Sequence, residues 1–354
     1  MDFSFTDEQR MTAEAVGSLL DDLCQPADLR RLMQSGEARD EARWSALTAL
    51  GLQGVLVPEE RGGLGLAEAD FVLVAEACGG ACLPEPLVEN AGIALPLLAA
   101  VADDKRSFTI LDRALSGEIT LAVAHPANPF VADADTAAAV LRIHGDELHL
   151  QDAGDLSLVE QKSIDPFRCL FSIADAPSTA TAICSLADAQ PHLDRALERG
   201  ALFAAAQLVG IAQRAVDLAV AYAKDRNQFG KPIGSYQAVK HMLAEAQVKI
   251  EFARPVVCAA AAAVAHADIY GRSRVSHAKL AAADAANEAC RTAIQVHGAM
   301  GYSWEVDVHL YLKRALALTG WWGDEAFHRA RVAERIRSRP LGADMLFATE
   351  ATRA

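Results

Sequence analysis

The sequence has no CxxC pair, no histidine–cysteine cluster at metal-ligand spacing, no long unbroken apolar run and no surplus of basic charge. Each absence removes a class of function. Lysine and arginine total 33 against 47 acidic residues, a formal net charge of −14. Nucleic-acid binding needs a basic face, so no nucleic-acid partner is expected, and an anionic membrane is disfavoured for the same reason. The longest apolar run, Val256 to Ala265, is well short of the roughly 18 to 20 residues of a membrane span. The start, MDFSFTDEQR, carries acids and no apolar segment, so it does not read as a signal peptide. Seven cysteines, an odd number without a secretion signal, fit reduced thiols in a cytoplasmic protein. Cys78 and Cys82 are four apart, but Gly79-Gly80 between them is expected to break any helix that would align them. His144 and His149 flank a turn at Gly145-Asp146 and have no cysteine at ligand spacing, so no metal site is expected. Arg61-Gly62-Gly63-Leu64-Gly65 lacks the preceding strand and following helix of a dinucleotide fingerprint and reads as a loop.

What is present is an ordinary globular balance, 52% hydrophobic and 23% charged, in 354 residues that call for two or three domains. Residues 1–115 read as helices with breaks. Thr6 and Gln9 form a capping-box pattern, followed by apolar spacing at Met11, Val16, Leu19, Leu20 and Leu23. Pro58 and Gly62-Gly63 mark a loop, and Phe71 to Cys78 is a buried helix ended by Gly79-Gly80. Residues 116–198 change to short apolar runs separated by Gly, Asp, Asn and Pro, namely Ile119 to Ala124, Ala138 to Ile143, Leu148 to Leu150 and Cys169 to Ile173, which predict a small β-domain. Residues 199–339 return to long alanine-rich helices. Four are expected: one from about Arg199, one opening at Ser235 that Pro255 kinks or ends, one from Ser273 to His297 capped by Gly298, and one from Ser303 to Leu318. Together they predict an antiparallel four-helix bundle. Residues 340–354 read as a loosely held tail.

Two bundle segments resemble motifs of the acyl-CoA dehydrogenase family. Arg226-Asn-Gln-Phe-Gly-Lys-Pro-Ile233 with Gln237 is similar to the family's RxxFGxPIxxxQ loop, and Gln295-Val-His-Gly-Ala-Met-Gly-Tyr302 to its QxxGGxGY turn. Val57 to Gly65 looks like the PEExGGxG loop of the family's N-terminal domain. The resemblance is strong from about Gln207 to Tyr311, fair over the first hundred residues and weak between. It implies an α+β fold with an N-terminal helical domain, a middle β-domain (reduced here) and the C-terminal bundle. It also implies FAD as cofactor, an acyl-CoA substrate and an acceptor resembling electron-transfer flavoprotein. In the family these motifs reach across a subunit interface to the ADP half of the neighbour's flavin. Carried over, the FAD-binding candidates are Arg226, Gln228, Phe229, Gln295 and Gly298. Their chemistry agrees: a guanidinium fork can pair with pyrophosphate, an aromatic ring can lie on adenine, amides donate and accept, and glycine permits close backbone approach.

The sequence departs from the family in two places. Family members abstract a proton with a glutamate, most often just before a glycine in the fourth-helix region. Here Trp322 falls on that position within Trp321-Trp322-Gly323-Asp324, and an indole cannot accept the proton. The family's other base position, at the start of the first bundle helix, is Gly200. Glu198 and Asp324 each lie two residues from one of these positions, so the catalytic base is unassigned. The β-domain has Leu121 to Pro126 where the family has its LTExxxGSD-like strand, and the next flavin-facing strand is missing. These losses resemble the short subunit of heterotetrameric acyl-CoA dehydrogenases, such as those of bacterial steroid side-chain degradation. The expected partner is then a paralogous subunit that supplies base and flavin cradle. The alternatives are a self-sufficient homo-oligomer with a displaced carboxylate, and a non-catalytic scaffold or CoA-binding protein.

Overall fold

The computed structural model describes residues 5–37, 39–264 and 269–338, so the tail from Pro340 lies outside the described residues. The chain divides into two compact units. One holds residues 1–17, 72–82 and 201–354, the other 18–71 and 83–200.

The N-terminal helices are sharply delimited, and two of them, Asp7–Leu23 and Glu68–Gly80, each have residues in both units. The first helix of the chain, α1 (Asp7–Leu23), starts with the predicted capping box: the Thr6 N–H donates to Gln9 Oε1 at 2.9 Å and the Gln9 N–H to Thr6 Oγ1 at 3.2 Å. Helix α2 (Pro26–Ser35) opens with proline at its first position and ends at Gly36, φ +74°. Asp40 caps α3 (Glu41–Thr48) by accepting the Arg43 N–H. After α4 (Glu68–Gly80) come α5 (Leu87–Glu89), a π-turn, α6 (Leu95–Val101) and α7 (Lys105–Leu115), which bury Leu87, Ile93, Leu95, Leu97, Leu98 and Leu111.

The β-region holds more strands than the apolar runs reveal. A four-stranded sheet has the order β1 (Leu121–Ala124), β3 (Ala139–His144), β4 (Glu147–Asp152), β7 (Ala182–Ser185). Only its β1–β3 pair is parallel, with Leu121 opposite Ala139 and Ala124 opposite Arg142. A three-stranded antiparallel sheet has the order β2 (Val131–Ala132), β6 (Leu170–Ile173), β5 (Leu158–Gln161). Ala122, Val131, Ala134, Ala137, Val140 and Phe171 form one apolar cluster of these strands and their connections. Strands β2, β5 and β7 escape sequence reading because they are short and bury few apolar side chains.

The C-terminal helices differ from expectation at their ends and in number. The first, α8 (Leu186–Asp225), begins thirteen residues before Arg199 and runs through Pro191. By length and composition it could cross a membrane, with a window of mean hydropathy 1.3, but 72% of that window is buried within the protein. Next come a small hairpin, then α9 (Gln237–Ala261), which continues through Pro255 instead of ending there. Proline costs a helix interior about 3 kcal/mol, but the buried face of α9 continues past it through Val257, Ala260 and Ala261. Helix α10 (Ile269–His297) packs against α9, α11 (Val308–Thr319) and α12 (Glu325–Ser338). The last is a fifth helix beyond the four expected.

Gly79 and Gly80 are the last two residues of α4, so the helix ends at the glycines as expected and Cys82 lies beyond it in left-handed backbone, φ +52°. Their use is close approach. A Cβ on Gly79 would sit 2.1 Å from the Gln207 carbonyl oxygen, and one on Gly210 of α8 would sit 1.9 Å from the Glu76 oxygen. Glu76 also accepts from Arg254 Nε at 3.0 Å, tying α4 to α9 within the same unit.

Candidate functional site

The motif residues gather at one end of the first unit. Helix α8 closes with the Arg226 N–H on the Tyr222 carbonyl, and the chain turns into a two-stranded hairpin, β8 (Asn227–Gln228) and β9 (Lys231–Pro232). The connection is Phe229-Gly230, with φ +52° and +80°, so both residues of the tight turn take left-handed backbone. A phenylalanine pays roughly 1 to 2 kcal/mol for that conformation, and here its ring is 93% exposed. An aromatic held in strained backbone and fully presented is arranged to meet something outside the unit. The hairpin is braced by Tyr236, whose hydroxyl donates to the Gln228 carbonyl at 3.2 Å and whose ring lies 4.3 Å beneath Lys231 Nζ. Among the described residues none pairs with the side chain of Arg226, which is exposed.

The second motif ends α10 beside it. The rings of His297 and Tyr222 stack with centroids 4.3 Å apart at 24°, which sets the C-terminal ends of α8 and α10 side by side. His297 Nδ1 is 2.7 Å from the Ala293 carbonyl. Gln295 is exposed on the last turn, and Gly298 follows in left-handed backbone, φ +59°, also exposed. Gly301 lies against Ile294, where a Cβ would meet the carbonyl oxygen at 2.6 Å. Thus Arg226, Gln228, Phe229, Gln295 and Gly298 are brought to one end and all are exposed. Two helix C-termini carry partial negative charge, which by itself repels a phosphate. The cations at that end, Arg226 and Lys231, supply the opposite sign. A fork, a ring and two amides can together hold a nucleotide diphosphate that lies outside the unit's own surface.

The position of the family's base is closed. Trp322 is 1% exposed and takes φ +59°; Trp321 packs edge-on against it with centroids 6.5 Å apart. Lys279 of α10, itself 1% exposed, reaches this turn and donates from Nζ to the Thr319, Trp321 and Gly323 carbonyls at 3.1, 2.8 and 3.4 Å. His328 Nε2 lies 3.1 Å from the Trp322 carbonyl and Nδ1 3.0 Å from Ser276 Oγ. A carbonyl only accepts, so the ring carries its hydrogen on Nε2, and Nδ1 receives the serine hydroxyl. Asp324 Oδ1 accepts the Phe327 N–H at 2.8 Å as the N-cap of α12. Glu198 is buried on the continuous helix α8, where two residues separate side-chain directions by about 200°. Asp324 is thus engaged as a cap and Glu198 points away from the Gly200 side of its helix, and the catalytic base stays unassigned. Sequence reading missed Lys279 and His328, although a lone lysine amid Ala278 and Ala282 was a visible signal.

Burial, and next the Lys279 ammonium, push the His328 imidazole down to about 3. An unfolded histidine titrates near 6.5, so below that pH the unfolded chain binds the extra proton and the folded one does not. The stabilisation is complete above about pH 6.5 and is lost as pH falls toward 3, by roughly 1.4 kcal/mol per pH unit. Urea unfolding of wild type and His328→Gln between pH 7 and pH 4 is expected to show the steeper loss in wild type. Parallel pH slopes would remove His328 as the cause.

Comparison with known proteins adds independent findings. Residues 6–118 match the family model described as the acyl-CoA dehydrogenase N-terminal domain, and residues 192–337 the model of the acyl-CoA dehydrogenase C-terminal domain. Acyl-CoA dehydrogenase IpdE2 of Mycobacterium tuberculosis is 34% identical over 313 residues, 87% of this chain and 91% of that protein. Acyl-CoA dehydrogenase FadE34 of the same organism is 32% identical over 85% of this chain but only 43% of its own length. Among solved structures, a glutaryl-coenzyme A dehydrogenase complex has a TM-score of 0.84 at 19% identity, covering 96% of this chain and 98% of that one.

Proposed function

Because the chain belongs to the acyl-CoA dehydrogenase family of FAD-dependent oxidoreductases acting on acyl-CoA, we propose that it works as the non-catalytic-site subunit of a hetero-oligomeric member. In this reading it supplies the ADP-side contacts to a flavin whose base and cradle belong to a paralogous partner. The observation that carries it is the pairing of a filled base position with an intact, outward-facing clamp: Trp322 is buried where the carboxylate should be, while Phe229 is held exposed in left-handed backbone.

The residues fit the cofactor's ADP half. Arg226 would pair with the pyrophosphate, Phe229 would cover the adenine, and Gln228, Gln295 and the backbone at Gly298 would complete the polar contacts. FAD, when bound, supplies the hydride acceptor for α,β-desaturation of an acyl thioester. This chain's share is to bind and orient, because no carboxylate stands at either base position. The relative FadE34 supports the same reading, since more than half of it lies outside the match and leaves room for a second, fused segment. The helical segment to residue 115, the β-segment 116–198 and the bundle 199–339 would then serve as scaffold, partner surface and clamp. The assembly would pass electrons to an acceptor like electron-transfer flavoprotein, in the cytoplasm, where free thiols persist.

Expressed alone, the chain is expected to hold little FAD and to oxidise no acyl-CoA with an artificial acceptor. Co-expression with a full-length paralogue is expected to give stoichiometric flavin and turnover. A flavin-replete, active single chain would sink the heteromeric reading in favour of a self-sufficient enzyme. In the assembly, Arg226→Ala is expected to weaken FAD binding by about 1.5 to 3 kcal/mol, the worth of a hydrogen bond to a charged group. Arg226→Lys should recover part of it, because an ammonium lacks the planar fork. Unchanged affinity in both variants, read by flavin titration, would return Arg226 to an ordinary surface arginine.

A further inference from the structure

The β-region of the second unit contains a groove of about 350 Å³ that the proposed clamp does not use. Its walls are Pro126, Pro129, Phe130, Ile143, Phe171 and Ile173, with Arg142 among them. Alternate residues of a strand share a face, so Arg142 lies on the same face of β3 as Val140, which belongs to the apolar cluster. Opposite Arg142 on β1 is Ala124, packed against that same cluster. The groove is therefore the open end of an apolar core, and a guanidinium stands where one more aliphatic side chain would continue it.

Arg142 is 7% exposed, and its Nε and Nη2 are buried with no hydrogen-bond partner among the described residues. These two donors form one edge of the guanidinium, the edge that gives a carboxylate two parallel N–H···O bonds. The same edge is used elsewhere in this chain: Arg195 presents Nε and Nη2 to Glu68 at 3.0 and 2.6 Å. The other polar wall groups are His125, Asn128 and Ser172, so no carboxylate lines the groove, and Ser172 Oγ accepts from Gln161 Nε2 at 3.2 Å. His125 accepts the Ala127 N–H on Nδ1 and lies 3.2 Å from the Leu193 carbonyl through Nε2, so it is a neutral staple of its own turn. Asp175 is the acid whose charge Arg142 senses, but its carboxylate takes the Ser157 N–H at 2.5 Å and makes no ion pair with Arg142. Leaving charged donors buried without an acceptor costs more than the hydrogen bonds themselves contribute.

We propose that this groove binds a small organic carboxylate with an apolar body, held by the Nε–Nη2 edge of Arg142 against the Phe130, Phe171 and proline walls. The carboxylate closes the fork and the body extends the apolar core. A ring or branched chain suits the walls better than a bare inorganic anion does.

The test titrates the full chain with benzoate, benzamide and inorganic phosphate, read by calorimetry and by the shift in melting temperature. Benzoate is expected to bind saturably and raise the melting temperature, whereas benzamide, of the same shape without charge, should bind at least about 10-fold more weakly. Arg142→Gln should weaken benzoate by about 10- to 100-fold, the equivalent of one charge-assisted contact, and Arg142→Lys by less. Equal binding of benzoate and benzamide would reduce the groove to an unspecific apolar cleft and overturn the proposal, and this comparison needs only wild type should the variants not fold. Phosphate binding as tight as benzoate would overturn the assignment of an apolar body. Benzoate binding that survives Arg142→Gln in a folded variant would overturn the role of the fork.

Discussion

Trp322→Glu is expected to leave the isolated chain inactive and to lower its unfolding free energy by about 3 kcal/mol or more. The substitution restores a carboxylate at the sequence position of the family's base, so a chain that had lost only its base would regain activity. The structure gives reasons to expect otherwise. The indole is 1% exposed and fills its site, so truncation to a glutamate leaves a cavity, and buried tryptophan truncations cost about 3 to 5 kcal/mol. The new carboxylate must also leave water, which adds to the loss. The turn is held by Lys279 on three carbonyls and by His328 on the Trp322 carbonyl, so the backbone has little freedom to move the new side chain outward. In the proposed assembly the effect on turnover should be small, because in that reading the productive base belongs to the partner. Thermal melting and acyl-CoA oxidation of wild type and variant, each alone and with the partner, distinguish these outcomes. Substantial activity from the lone variant would show that only the base had been lost.

Gly210→Ala is expected to cost a comparable amount of stability. In an exposed helix interior, glycine to alanine gains about 1 kcal/mol. At Gly210 the sign reverses, because the added Cβ would lie 1.9 Å from the Glu76 carbonyl oxygen and 2.8 Å from the Gly80 nitrogen. All of these neighbours are backbone atoms, so no side-chain rotation relieves the contact. Helices α4 and α8 would have to separate at a crossing where Ala75, Cys78, Leu208 and Val209 are buried. The expected loss is at least about 3 kcal/mol, the upper end for overpacking. Gly17→Ala, where nothing lies within 4 Å of the added carbon, is the matched control and should be neutral or stabilising. Denaturant unfolding that shows Gly210→Ala no worse than Gly17→Ala would refute the close crossing.

The sequence by itself determined those features that depend on local chemistry. The capping box at Thr6 and Gln9 forms as read, because both partners lie within one helical turn. Alanine-rich periodicity marked the long helices, and the segment from Arg226 to Ile233 read as a loop through its resemblance to the family motif. The family assignment rested on such segments and is now supported over residues 6–118 and 192–337. Helix ends were less legible. Pro191 and Pro255 signal breaks locally, but burial of the surrounding faces in α8 and α9 outweighs their cost, and that packing involves residues far away in sequence.

Only the tertiary structure decided what the motif residues face. Phe229 is an apolar residue that composition would place inside, and its exposure follows from hairpin register and positive φ, neither of which a residue's identity fixes. The placement of Gln295 and Gly298 at the same end as Arg226 depends on a stack between Tyr222 and His297, seventy-five residues apart. Lys279 and His328 likewise acquire their roles from the Trp321-Trp322 turn, over forty residues from the lysine and brought to it by the packing of α10 against α11 and α12. Long-range contacts set burial, burial sets which polar groups must find partners, and so the clamp, the closed base position and the Arg142 fork could be located only once the chain was folded.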